Sequence, residues 1–433
     1  MRRHLTRQNS ISPYSHGYSS TDSRRRRDCL EHPTGTTTIY QPRVDNVRTM
    51  KVLLKGKEYL SMNIRIPVSS PLIDDDDINS VTNCLKSGWV SSMGQDVLNF
   101  EKVFSSYHNA KYGVSTNSGT TALHLALASL NLKEDDEIIM PTFTMIATIN
   151  AAEYLRLRVK LVDANISTWT MDTEALSDAI TEKTKAIMAV HIYGHPENMK
   201  IVDELAKKHN LLVIEDCAEA HGAEIDGRKV GTFGDVGSFS FYANKIITTG
   251  EGGMNITNNR ELAERMEWLR AHAFGRGGKH FWHEELGYGY RMSALQAALG
   301  VSQVRKIDRL VEKRRTNAKI YNEMLQKLSD KGLLITPAEE NWAKNVYWMY
   351  SILVGQNHRD SLMLFLERKG IETRTFFYPI HKQPYYRQRY SNETFPVADE
   401  LSLRGINLPS GNLLDEEAII EVCSEINNYF TRI

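Results

Sequence analysis

An α/β fold, with a mostly parallel seven-stranded sheet in a large domain and a smaller α+β unit at the C-terminus, is predicted by three features of this sequence. Seven short apolar runs recur along it: KYGVST, EIIMPT, VKLVDA, AIMAVH, LLVIED, VGSFSF and GGMNIT. Most are separated by amphipathic stretches such as TEALSDAI and MKIVDELAKKHN, the alternation that builds parallel sheets with helices on both faces. After Arg291 the pattern changes, and MSALQAALGVSQVRKIDRLVEKRRTNAKIYNEMLQKL carries apolar residues at helical spacing over many turns. It reads as a long helix or helix pair leading out of the large domain.

In chain order, residues 1–63 come first and differ from the rest. MRRHLTRQNSISPYSHGYSSTDSRRRRD is rich in Ser and Arg and poor in aliphatics, so it cannot bury enough surface to offset the entropy of ordering, and a disordered tail is expected. The run Arg24 to Arg27 is followed by no apolar stretch of the kind an export signal needs. Residues 64–310 hold the seven runs and form the expected large domain. Residues 311–433 form the smaller one, with strand candidates YWMYSILV and ETRTFFYP and amphipathic helices around DSLMLFLERKG and LDEEAIIEVCSEINNYF.

Composition narrows the function. The chain has 433 residues, 41% hydrophobic and 24% charged, with a formal net charge of zero, which suits a globular protein with a substantial core and no bulk preference for nucleic acid or membrane. Cys29, Cys84, Cys217 and Cys423 lie far apart with no CxxC pair, so free thiols in a reducing, cytoplasmic setting are expected, with neither a disulfide framework nor a metal site. Small-molecule chemistry is the remaining class.

The chemistry centres on SFSFYANKIITTGEGGM, residues 238–254, where an alternating strand runs into Lys245 and then Gly250, Gly252 and Gly253. A lysine here can form a Schiff base if a desolvated, cation-rich setting keeps its amine neutral, although lysines at strand ends are more often surface residues. Asp216 closes LLVIED, where an acid is either a helix N-cap or a partner for a pyridine nitrogen. Ser118-Gly119-Thr120-Thr121 opens an apolar helix whose free N–H groups favour an anion, but Ser118 as a plain N-cap explains the same residues. Ser240 lies on the same strand face as Ser238, five residues before Lys245. Thr142 to Met145 follow another strand, and Glu219 or His221 could approach a ring held by Asp216. An imine-forming amine, an acid and a phosphate cradle together are the parts of a pyridoxal phosphate (PLP) site.

With these motifs the chain resembles the nucleotide-sugar aminotransferases of the DegT/DnrJ/EryC1/StrS family. The resemblance is carried by GVSTNSGTTALHLAL, MPTFTMIATINA, HIYGHPENM, LLVIEDCAEAHGA, GSFSFYANKIITTGEGGM, LGYGYRMSALQAALG and ETRTFFYPIH, in that order. It implies a type I PLP-dependent aminotransferase fold, PLP as cofactor, L-glutamate as amino donor and a homodimer with shared sites. The closing FFYPIHKQPYY resembles the perosamine synthase group. Members of that group aminate C4 of a nucleotide-linked 4-keto-6-deoxy sugar for polysaccharide or glycan biosynthesis. By position, the resemblance makes Lys245 the lysine that carries the cofactor, Asp216 the pyridine partner, and Gly119, Thr120, Thr121 and Ser240 the phosphate site. Three positions depart from the family pattern. Met145 stands where an aromatic ring commonly covers the cofactor, Glu219 where glutamine is frequent, and Gly289 where an asparagine often reaches the neighbouring subunit's phosphate. Arg291, Tyr378 and His381 are candidates for contacting the donor carboxylate or the sugar nucleotide. Arg291 could equally be an interface residue, and His381 a satisfied core histidine.

Two further readings compete. A PLP-dependent sugar 3-dehydratase or 3-aminotransferase shares the expected fold, but the dehydratases carry histidine where Lys245 stands. A non-enzymatic PLP-binding regulator would use the basic tail, and the intact lysine, acid and phosphate set argues against it.

Overall fold

The computed structural model describes residues 48–53, 59–275 and 281–432. Residues 1–47 of the expected tail lie outside it. The end of that tail differs from expectation: β1 (Arg48–Leu53) and β2 (Tyr59–Ile64) pair antiparallel. The alternation of apolar and polar residues in RTMKVL and YLSMNI is a period-two pattern that the Ser/Arg-rich stretch before it lacks.

All seven apolar runs become strands of one sheet. They are β3 (Tyr112–Thr116), β4 (Glu137–Pro141), β5 (Arg158–Val162), β6 (Thr184–Val190) and β7 (Leu212–Asp216); then, after the short hairpin of β8 (Glu224–Ile225) and β9 (Arg228–Lys229), β10 (Val236–Ser240) and β11 (Gly253–Thr257). The order across the sheet is β3-β11-β10-β7-β6-β4-β5. Only β11 runs against its neighbours, so the carboxyl ends of β3, β4, β6, β7 and β10 share one edge. Buried on both faces, the central β4, β6 and β7 carry Val, Ile, Ala and Met over most of their length.

Helices cover the sheet. Gly119–Ser129 is apolar on nearly every face and correspondingly buried, with Ala122, Leu125, Ala126 and Leu127 fully enclosed. The expected long helix or helix pair is a pair, Ala294–Val304 and Ile307–Asp330. At the break the Lys306 ammonium reaches back to Asp77, 2.8 Å away, and to Asp74.

A second, four-stranded sheet follows, in the order β12 (Leu334–Ile335), β14 (Tyr350–Val354), β16 (Gly405–Leu408), β15 (Arg374–Thr375); β13 (Ala343–Lys344) instead joins the β8–β9 hairpin. With helices Arg359–Arg368 and Glu416–Thr431 it builds its own core around Tyr321, Tyr350, Ile352, Leu366, Ile406 and Ile426. Phe376, Ile380, Tyr386, Phe395 and Leu401, although late in the chain, pack into the first core. That return path brings Trp348 and Phe377 to the carboxyl edge of the large sheet.

Candidate active site

A cavity of about 270 Å³ opens at that edge, lined by residues from several segments far apart in sequence. Ser118, Gly119 and Thr120 begin the helix after β3; Thr144, Met145 and Ala147 follow β4; Asp216 ends β7, with Ala218 and Glu219 after it; Ser240 ends β10, with Tyr242, Asn244 and Lys245 after it; Trp348 and Phe377 come from the second unit. Loops at strand ends are where an open α/β sheet can place groups from distant sequence on one ligand.

The anion end is built by the helix cap. Ser118 caps Thr121 N–H through its side chain and Thr121 Oγ1 accepts in turn from Ser118 N–H at 3.1 Å, a reciprocal capping box. The Thr121 hydroxyl also donates to Asn117 Oδ1 at 2.7 Å, and Thr121 does not line the cavity. The structure thus engages the Thr121 hydroxyl in the cap and places it away from the cavity, where a phosphate ligand was expected. The N–H groups of Gly119 and Thr120 are left at a positive helix end facing the cavity, beside the hydroxyls of Thr120 and Ser240. A Cβ on Gly119 would sit 2.5 Å from Ser240 Cβ, so only glycine lets the helix and the end of β10 close on the same anion.

The acid end is Asp216. Strand alternation sends Asp216 to the cavity and Glu215 the other way, where Glu215 accepts from Gly231, Phe233 and Gly234 N–H and contacts His191 Nε2 at 3.2 Å. That buried group, with Cys217, is satisfied within the protein. Asp216 Oδ2 accepts from Thr148 Oγ1 at 2.9 Å and Oδ1 from Ala218 N–H at 3.1 Å. Burial raises its carboxyl above the ordinary range, while Ala218 N–H, the Thr148 hydroxyl and the Lys245 charge pull it back.

Between these ends lies Lys245. Its Nζ is 3.9 Å from Glu219 Oε1 and 3.8 Å from the centre of the Trp348 ring, with only 10% of the side chain exposed. It sits on a turn after β10, its N–H bonded to Tyr242 O at 2.9 Å. Burial lowers its amine below the ordinary lysine value; Glu219 and Asp216 oppose that, and Arg314 adds to it. The other oxygen of Glu219 accepts from Tyr193 N–H at 2.8 Å. Burial pushes the Glu219 carboxyl up to about 7, against the pull of Lys245.

The remaining expected site residues lie elsewhere. His381 is buried with both ring nitrogens engaged, Nδ1 at 2.8 Å from Thr142 Oγ1 and Nε2 at 3.0 Å from Asp399 Oδ1. It does not line the cavity, and its two bonds tie the return segment to the loop after β4. His221 is buried among Phe104, Phe239 and Phe241 rather than at the cavity. Arg291 and Gly289 occupy an exposed loop, Arg291 Nη2 3.3 Å from His272 Nε2, and neither lines the cavity. Tyr378 is 57% exposed and also outside it. Met145 does line it, with its Sδ turned to Ala147 N–H at 3.0 Å. Sequence reading missed Trp348, Phe377, Thr148 and Asn244. Trp348 stands in a run that reads only as a strand, and Thr148 as one helix residue among several.

A glycine-gated helix end for a phosphate, a buried acid and a buried lysine whose amine is held below its ordinary value fit PLP around one cavity. Comparison with known proteins agrees. The model of the DegT/DnrJ/EryC1/StrS aminotransferase family matches residues 71–427. GDP-perosamine synthase of Escherichia coli O157:H7 is 42% identical over 370 residues, 84% of this chain and 99% of that protein. The protein of the same name from Vibrio cholerae is 39% identical, over 85% of this chain and all of its own length. Among solved structures, Helicobacter pylori PseC, an aminotransferase involved in the biosynthesis of pseudoaminic acid, superposes with a TM-score of 0.80 at 28% identity, covering 85% of this chain and 100% of its own. GDP-4-keto-6-deoxymannose-3-dehydratase with bound GDP-perosamine gives 0.78 at 26% identity, covering 84% and 100%. The chain thus belongs to the DegT/DnrJ/EryC1/StrS family and is a PLP-dependent aminotransferase.

Proposed function

We propose that this aminotransferase moves the amino group of L-glutamate to C4 of a nucleotide-linked 4-keto-6-deoxy sugar, releasing 2-oxoglutarate and a 4-amino-4,6-dideoxy sugar nucleotide such as GDP-perosamine. The observation that carries the reading is Lys245, largely buried in the cavity beside Glu219, with Asp216 at the end of β7. The GDP-perosamine synthases, similar over nearly their whole length, support the sugar and the position of amination.

When bound, PLP supplies a carbonyl that captures an amine and a ring that draws electrons from the carbon carrying it. Gly119 and Thr120 N–H, with the Thr120 and Ser240 hydroxyls, would hold its phosphate, and Asp216 would keep a pyridine nitrogen protonated. Thr148 and Ala218 fix the Asp216 carboxylate so that it cannot turn away. Lys245 holds and returns a proton at Nζ: burial favours the neutral amine, and Glu219 3.9 Å away steadies it when charged. Trp348 and Phe377 exclude water from one side and Met145 covers another.

The same reading takes the protein as a cytoplasmic homodimer. Trp89, Val90, Met93 and Leu98, close in sequence around one loop–helix junction, are exposed apolar side chains, 65%, 39%, 79% and 58% accessible, and exposed apolar residues of that kind suit a second copy. In that dimer the exposed Gly289–Arg291 loop would reach the partner's site. Among the described residues no helix is long and apolar enough to cross a membrane.

The test is product mass and connectivity from glutamate with a panel of GDP-, UDP- and dTDP-linked 4-keto-6-deoxy sugars. A 4-amino product from one of them is expected. Amination at C3, or loss of the C3 hydroxyl without amination, would overturn the reading.

A further inference from the structure

Arg314 is among the largest side chains fully enclosed in the protein, at 2% exposure. A buried guanidinium normally has a carboxylate partner, since an uncompensated charge costs several kcal/mol. Among the described residues Arg314 has none: Nη1 donates to the Trp348 carbonyl, and Nε has no acceptor. Asn317, one turn along the same helix, leaves both side-chain polar atoms unpaired as well. Burial lowers the guanidinium to about 9, still above neutral pH, so it is a cation under working conditions.

The residue that takes this bond is the one that floors the cofactor lysine. Trp348 presents its ring to Lys245 Nζ at 3.8 Å and donates from Nε1 to Asn244 O at 2.9 Å, next to Lys245 in the chain. Arg314 therefore fixes the backbone of Trp348, and Trp348 fixes both the surface under the amine and the turn that carries it.

We propose that Arg314 is a positioning residue of the transamination site, an acid-free buried cation whose field under Trp348 favours the neutral, nucleophilic amine of Lys245. The charges around that amine set the balance. Glu219, 3.9 Å away, and Asp216 favour the ammonium, and so does the face of the Trp348 ring. Burial and Arg314 favour the amine, and Arg314 is the one positive group that acts on Lys245 in this sense. His221, which the same charge disfavours as a cation, stays neutral among its phenylalanines and adds no field of its own. Without Arg314 only burial would oppose the two acids, and the balance would move toward an ion pair of Lys245 with Glu219. The missing acid beside Arg314 is, on this account, what the site requires.

The proposal rests on Lys245 being the cofactor-bearing lysine, but its test does not use turnover. In cofactor-free protein, competitive labelling with trace acetic anhydride followed by mass spectrometry of the Lys245 peptide gives the titration midpoint of that amine. Arg314→Met keeps length and removes charge, and its midpoint should rise above that of wild type. Arg314→Lys should leave the midpoint near wild type. If Arg314→Met does not fold, Asn317→Asp supplies the missing acid instead and should move the midpoint the same way. An unchanged midpoint in Arg314→Met, or in Asn317→Asp where that variant is needed, overturns the proposal. An equal rise in Arg314→Lys overturns it too, because geometry rather than charge would then be responsible. Failure of the underlying reading looks different: the cofactor would attach elsewhere while the Lys245 midpoint still answered to Arg314.

Discussion

Replacing Asp216 by Asn separates what the acid does for the cofactor from what it costs the empty protein. In the structure both carboxylate oxygens are acceptors, Oδ2 from Thr148 Oγ1 and Oδ1 from Ala218 N–H. An amide keeps one of these bonds. Its NH₂ turns to Thr148, whose hydroxyl can reverse and donate to Thr144 Oγ1, 2.8 Å away, so the fold should tolerate the change. What is lost is a charge-assisted bond to a protonated ring nitrogen, worth about 1.5–3 kcal/mol. That corresponds to a fall in turnover of roughly 10- to 150-fold at 1.36 kcal/mol per decade. Stability of the cofactor-free protein should move oppositely. Asp216 has a raised carboxyl pKa in the fold, so the native state holds its proton longer than the unfolded chain, and wild type loses stability as pH rises from the unfolded value through the folded one. The amide variant has no such term and should melt at or above wild type at neutral pH. The assays are single-turnover reaction with glutamate and calorimetric melting of both cofactor-free proteins. Turnover within twofold of wild type would remove Asp216 from the chemistry, and a clearly lower melting point would refute the burial argument.

Glu219→Gln removes a carboxyl that titrates at about 7 in the fold; cofactor-free wild type should therefore lose stability between about pH 4.5 and about pH 7, and the variant should show a flatter profile in a pH series of melts. Gly119→Ala places a Cβ 2.5 Å from Ser240 Cβ and should weaken PLP retention by roughly 5- to 150-fold, given a typical cost of about 1–3 kcal/mol for such overpacking; equilibrium dialysis measures it, and unchanged retention would remove the phosphate from this helix end. Gly289→Asn meets only the His272 ring, at 3.1 Å, and its backbone is not left-handed, so the dimer should form and PLP should be held more tightly if that loop reaches the partner's phosphate; a weaker dissociation constant with an intact dimer counts against that placement.

The seven strands were legible because each is a compact apolar run with turn residues at its ends, and β10, Lys245 and the following glycines are contiguous in sequence. Ser118 and Thr121 show the limit of local reading. The same four residues satisfy a helix cap and an anion site, and only the hydrogen-bond geometry assigns the Thr121 hydroxyl to the cap. His381 stayed open in the sequence between a substrate contact and a satisfied core histidine, because the partners of its two nitrogens, Thr142 in the loop after β4 and Asp399 in a late helix, lie far from it in the chain. Trp348 and Arg314 were out of reach for a related reason. Their roles depend on the return of the chain from the second unit, about 100 residues of separation from Lys245 in the case of Trp348, and no periodicity encodes that contact.

Borohydride reduction of the PLP-loaded protein, followed by peptide mapping, tests the central claim most directly, because it records which amine the cofactor carbonyl has captured. A phosphopyridoxyl mass on Lys245, within residues 238–254, and its loss in Lys245→Ala are the predicted results. The same mass on another lysine, or a Lys245→Ala protein that still binds PLP covalently and turns over, would contradict the account.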